Sequence, residues 1–260
     1  MTPDEHIRSY FRTLYGAWGQ QQWWPAHTSF EVIVGAYLTQ NTSWTNVKRA
    51  MESLRKARIL SVNGIRCIPL RRLEKLIRSS GYFRQKARRL KTFVNFVDAR
   101  YSGSLRRMFA QPISKLREEL LALDGVGPET ADSILLYAGN HASFVVDAYT
   151  RRILERHGLV KDRAGYEEIR ELFERSLKPL ADEVIKSTPV APTDGPLRGS
   201  SHPPSRMSLA KRDALAQVFN EMHGLIVGVG KHYCKKSQPE CELCPLQKFL
   251  PGAESSEHAL

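Results

Sequence analysis

Apolar residues recur three and four positions apart along almost the whole chain, as in Ile33, Ala36, Tyr37 and Leu38 or in Leu116, Leu120, Leu121 and Leu123. That spacing lines one face of a helix, and strand-like alternation is scarce, so the pattern predicts an all-α protein. Side chains mark the helix boundaries. Thr28 or Ser29 caps a helix through Leu38, with Glu31 placed to complete a capping box, and Thr42 or Ser43 caps the next through Leu54. Gly81, Gly103 and Gly158 act as stops. The stretch Lys186–Arg206, rich in Pro, Ser and Gly, predicts a mobile insertion ahead of a last helix over about Leu209–Val229. Ser255–Leu260 is expected to fray, and no repeat at solenoid spacing is present.

Charge changes the picture more than size does. The chain has 260 residues, with 39 Lys plus Arg against 27 Asp plus Glu, a formal +12. That balance favours a polyanionic partner, nucleic acid ahead of an anionic membrane surface. No apolar run approaches the ~18–20 residues that span a bilayer, and Met1–Gln20 lacks the order of a signal peptide. The expectation is a cytoplasmic monomer working in a bacterial-type cytosol or nucleoid, with no membrane partner. Three of the four cysteines, Cys234, Cys241 and Cys244, crowd together at metal-site spacing, while Cys67 is expected as a buried small hydrophobe.

The segment LLALDGVGPETADSILLY, Leu120–Tyr137, runs an apolar helix into Asp124-Gly125-Val126-Gly127 and starts a second helix at Pro128. Two glycines around one apolar residue permit a tight turn, and proline suits a first helical position. This predicts a helix–hairpin–helix whose amides, at Gly125, Val126, Gly127, Glu129 and Thr130, meet a DNA phosphate without reading sequence. Downstream, FVVDAYTRR delivers one acidic residue, Asp147, after an apolar run. It is equally suited to cap the helix that follows.

The hairpin followed at this distance by Val-Asp resembles the helix–hairpin–helix DNA glycosylases of the endonuclease III superfamily. The resemblance spans about Phe11–Lys248 and implies two all-α lobes, residues 27–140 with the hairpin and residues 1–26 plus 141–260 with a C-terminal cysteine loop. It implies damaged double-stranded DNA lying across the cleft between them, with Asp147 as the catalytic carboxylate. A carboxylate there stabilises the positive charge that develops on the sugar and orients water. Relatives that also cut the backbone carry a lysine just before the Thr-Ala of the hairpin. This chain has Glu129, which cannot form an imine, so the resemblance implies a monofunctional enzyme.

QWWP at Gln22–Pro25 and LTQNTSW at Leu38–Trp44 look like the 3-methyladenine glycosylase branch of that superfamily. On that resemblance Trp23, Trp24, Pro25 and Trp44 line the lesion pocket and Gln40 inserts into the gap left by the extruded nucleotide. A purine alkylated at N3 or N7 is cationic and a good leaving group, so aromatic walls and one carboxylate suffice. GYFRQKARRLK from Gly81 resembles the second DNA-backbone segment, with Arg84, Lys86 and Arg88 as phosphate contacts.

Cys234, Cys241 and Cys244 match the first three cysteines of the family's [4Fe–4S] loop, but the fourth position is Leu250. The expectation puts the cluster first, with Zn²⁺ aided by His232, or no metal, as alternatives. The expected activity is excision of an alkylated purine such as 3-methyladenine. Uracil, thymine-mismatch or oxidised-base excision on the same scaffold, or damaged-DNA binding without chemistry, are the alternatives.

Overall fold

The computed structural model describes residues 1–181 and 204–252; these are helical, with no strand among them. Most of the expected insertion at 186–206, and the expected frayed end at 255–260, lie outside the described residues. Two compact units divide the chain. One combines Met1–Pro25 with Ala142–Leu260, and the other is Ala26–His141.

The Ala26–His141 unit is built around α2 (Ser29–Thr39), which is buried at every residue from Phe30 to Leu38. A helix apolar all round needs neighbours all round. Here they are α3 (Trp44–Lys56), α6 (Phe83–Tyr101), α9 (Pro128–Ser133) and a π-helical turn at Ile134–Ala138. Thr28 caps α2 by accepting from the Glu31 amide. The Glu31 carboxylate reaches past it to the His27 amide and pairs with Arg55. The short helices α4 (Val62–Cys67), α5 (Leu70–Leu76), α7 (Leu105–Phe109) and α8 (Ile113–Leu121) complete the unit. Cys67, expected to be buried, is exposed, because it ends α4 on the face away from buried Ile65.

In the other unit, α1 (Pro3–Trp18) opens with a capping box between Thr2 and Glu5. It packs against α11 (Tyr166–Leu177) and α12 (Ala214–His232), and α10 (Ala148–Arg156) packs against α12. Phe144 and Phe173 stack at 4.2 Å in this core. The last helix starts at Ala214, not near Leu209. Asp213 caps it by accepting from the Ala216 amide at 2.7 Å, and Arg212 binds the carbonyls of Met207, Ser208 and Ala210 in a turn that leaves Leu209 exposed. Glycine costs a helix interior roughly 1 kcal/mol against alanine, yet α12 carries three where other groups crowd in. A Cβ at Gly224 would meet Gln21 and Trp23, one at Gly228 would meet Trp18, and one at Gly230 would meet Tyr149.

Candidate functional site

The hairpin lies in the Ala26–His141 unit. Gly125 takes φ +73°, and a Cβ there would collide with the Arg89 side chain, whose Nε would lie 1.8 Å away. Only glycine combines that backbone with that close approach. Gly127 caps α9 from ordinary extended backbone with open space around it, and Pro128 takes the first helical position. Val126 is buried, which anchors the turn, while Gly127 and Glu129 are exposed and Thr130 is buried. Beneath the turn, the bidentate pair of Arg117 with fully buried Asp132, at 2.8 and 3.0 Å, ties α8 to α9.

Gln40 belongs to this bracing. Its amide nitrogen donates to the Gly125 carbonyl at 2.9 Å and to Thr130 Oγ1 at 3.0 Å, and its oxygen accepts from Arg89. The structure thus holds Gln40 against the hairpin, in contrast to the expected projecting side chain. Arg89, which no sequence motif marks out from its basic neighbours, lies against the turn at Gly125 and faces Asp124 at 3.8 Å.

The basic segment of α6 separates into two faces. Arg84 and Arg88 are exposed, as a phosphate contact requires. Lys86 is a correction to the expected DNA-contacting set. It shares the inward face with Leu90 and Phe93, and its ammonium donates to the carbonyls of Leu38 at 2.8 Å and Ser80 at 2.7 Å. Burial lowers its pKa to about 8. A lysine so engaged closes the end of α2 and does not reach a phosphate.

Asp147 sits in the other unit, at the N-cap of α10. The buried run Phe144–Val146 leads into it, with the Phe144 amide donating to Glu174 and the Val146 amide to the Tyr166 hydroxyl. Asp147 Oδ1 accepts from the Thr150 amide at 2.8 Å and the Thr150 hydroxyl at 2.9 Å. Oδ2 lies 3.7 Å from His223 Nε2 of α12, and the carboxylate is 14% exposed. One oxygen is thereby fixed in place while the other keeps an acceptor direction for chemistry. Burial lowers the His223 pKa against the opposing pull of Asp147, with Lys231 lowering it further, which favours the neutral imidazole.

The Gln21–Pro25 loop lies in the same unit. Gln22 and Trp24 take φ of +47° and +73°, a conformation that costs side-chain-bearing residues on the order of 1 kcal/mol each. Trp23 meets His223 edge to face at 6.2 Å, and its buried indole N–H has no hydrogen-bond partner among the described residues. The Lys231 ammonium stands over the Trp23 ring at 5.2 Å. Trp23, Trp24 and Pro25 are half-buried; Trp44, also half-buried, is carried by the other unit at the start of α3. His223 is the residue that the sequence hid. It touches both Asp147 and Trp23, and the closely approached glycine beside it was its only local signal.

The cysteine loop follows α12. Arg156 donates to Cys234 Sγ at 3.2 Å and the Leu246 amide to Cys244 Sγ at 3.4 Å. Burial, and the proximity of Cys234 and Cys241, push the Cys244 thiol up to about 11. Leu250 offers no donor, His232 is exposed, and the described residues hold no group of three or more His, Cys, Asp or Glu side chains arranged for a metal ion. The donor set does not fit a four-thiolate cluster. Arg152 and Arg156 instead brace this loop through the carbonyls of Gly230, Cys234, Lys235 and Lys236.

Comparison with known proteins matches residues 34–179 to the family model described as HhH-GPD superfamily base excision DNA repair protein. A Methanocaldococcus jannaschii protein whose name places it among DNA repair glycosylases is 38% identical over 247 residues, covering 94% of this chain and 96% of that one. The crystal structure of H. pylori 3-methyladenine DNA glycosylase bound to 1,N6-ethenoadenine superposes with a TM-score of 0.68 at 25% identity, over 89% of this chain and 98% of that one. A trapped endonuclease III–DNA covalent intermediate gives 0.68 at 20% identity, over 98% and 99%, and shows the shared fold.

Proposed function

This chain belongs to the HhH-GPD superfamily of base excision DNA repair proteins, and from that premise we propose that it is a DNA glycosylase that hydrolyses the N-glycosidic bond of an alkylated purine and leaves the strand intact. One observation carries the proposal. His223 touches both Asp147 and Trp23, so a carboxylate with one oxygen held and an aromatic loop with an unpaired indole N–H belong to a single site. Asp147 Oδ2 is the oxygen that stabilises the developing positive sugar and holds the attacking water. Trp23, Trp24 and Pro25 supply a wall on which a flipped base stacks. The exposed hairpin, Arg84 and Arg88 are assigned to backbone phosphates of damaged duplex DNA.

The monofunctional assignment rests on Glu129, which stands where an attacking lysine would, and on Lys86, whose amine is buried on two carbonyls. Lys231 over Trp23 favours a second reading. An ammonium near a departing base stabilises the anion of a neutral purine adduct and disfavours a cationic one. Single-turnover base release from a panel of methylated, ethenoadenine, uracil, thymine-mismatch and oxidised-base duplexes, read with and without alkali, decides between them. Release of 3-methyladenine or 7-methylguanine with nicking only after alkali is expected. Release confined to neutral adducts establishes the second reading. Nicking without alkali, abolished in Lys231→Ala, overturns the monofunctional assignment.

A further inference from the structure

Glu221 lies on α12 and belongs to no part of the chemistry described so far, yet it is almost wholly buried, at 1% exposure. Its carboxylate accepts from the Gln21 amide at 2.5 Å, from the Gln22 amide, and from the side-chain amide of Gln217 at 2.7 Å. Arg212 faces it as the charged partner, and Tyr15 lies near enough for the two acidic groups to sense each other. The two backbone donors lead directly into Trp23 and Trp24, where the chain takes its positive φ angles at Gln22 and Trp24. Gly224, one turn along the same helix face, lets Gln21 and Trp23 lie against the helix backbone.

A loop with two side-chain-bearing residues in left-handed conformations relaxes unless something holds it. We propose that Glu221 is that restraint, a positioning residue that clamps Gln21 and Gln22 and thereby sets the course of Trp23 and Trp24. A buried carboxylate suits the task because it presents only acceptors, enough for two amides and a side-chain donor at once. The consequence for base release rests on the assignment of Trp23 and Trp24 to the lesion pocket; the clamp itself does not.

The test uses the full chain at pH 8 with Glu221→Gln, which keeps shape but removes the charge and one acceptor, and Glu221→Ala. Amide hydrogen exchange at Gln21 and Gln22 reads the clamp without reference to activity. Single-turnover base release and affinity for undamaged duplex read its consequence. Exchange at both amides is expected to accelerate at least tenfold in Glu221→Gln and further in Glu221→Ala. Base release should fall at least tenfold in Glu221→Ala, with partial recovery in Glu221→Gln and duplex affinity within twofold of wild type. If Glu221→Ala does not fold, Glu221→Gln carries the test alone, with the same directions required. Unchanged exchange overturns the proposal, whereas accelerated exchange with unchanged base release in an active wild type overturns the assignment of Trp23 and Trp24 to the lesion pocket. A wild type inert on the whole lesion panel overturns the pocket assignment instead, and exchange still decides the clamp.

Discussion

The hairpin and the tryptophan loop are the two segments that we assign to DNA, and they are built in opposite ways. In the hairpin the left-handed position is occupied by Gly125, so the turn costs little, and its bracing by Gln40, Arg89 and the Arg117–Asp132 pair locks a conformation the chain already favours. In the Gln21–Pro25 loop the left-handed positions fall on Gln22 and Trp24, and a carboxylate 200 residues away supplies the restraint. A surface that grips any phosphate can be made from local turn chemistry. A wall that must hold a flat base at one angle spends stability on placing large rings where the backbone alone would not put them.

The largest expected break in the hairpin comes from Gly125→Ala, which meets both a positive φ and the Arg89 side chain. It should cost roughly 2 kcal/mol or more of stability and most of the duplex affinity, measured by thermal melts and fluorescence anisotropy. Gly127→Ala, in open space on ordinary backbone, is its control and should stay within about 0.5 kcal/mol. Equal losses in the two would contradict the account of the turn.

A subtler contrast lies within α6. Lys86→Ala leaves two carbonyls unpaired and a hole beside Leu90, so it should destabilise by about 2 kcal/mol with an unchanged salt dependence of DNA binding. Exposed Arg88→Ala should leave the melting temperature in place and lower the slope of log affinity against log salt by about one. Reversal of these two signatures would return Lys86 to the DNA surface.

The smallest effect is in pH, because buried histidines and a buried carboxylate oppose each other. Burial lowers His157 to about 4 from an ordinary value of 6.5, so the unfolded chain binds the extra proton and stability rises with pH across that window. Burial raises Glu221 to about 7 from 4.5, so there the folded chain binds the extra proton and stability falls as pH rises. Burial lowers His223 as well, on the same side as His157. Between about pH 4.5 and 6.5 the melting temperature should therefore rise more steeply with pH in Glu221→Gln than in wild type, and less steeply in a His157→Gln variant. A wild-type slope equal to that of Glu221→Gln would contradict the opposition.

The same contrast explains what could be read from the sequence. The all-helical class, the Thr28 cap, the hairpin and the position of Asp147 ahead of α10 depend on residues within a few positions of one another, and all were legible. Lys86 cannot be told from its neighbours in sequence, because the five basic residues from Arg84 to Lys91 look alike until the inward face of α6 is fixed by Leu90 and Phe93. The start of α12 at Ala214 is not legible in the sequence, because Arg212 holds the preceding turn through backbone carbonyls that carry no sequence signal. Glu221 and His223 were invisible because their partners are remote in sequence, although three glycines in one apolar helix hinted at what packs there.

The most direct measurement compares Asp147→Asn with wild type on the preferred duplex from the lesion panel, base release and binding being followed on the same preparations. Asparagine keeps an oxygen for the Thr150 cap and removes the charge. Release is expected to fall by about a hundredfold or more while duplex affinity and melting temperature hold. Release within a few-fold of wild type in a folded Asp147→Asn protein would contradict this, and would move the catalytic carboxylate elsewhere in the fold.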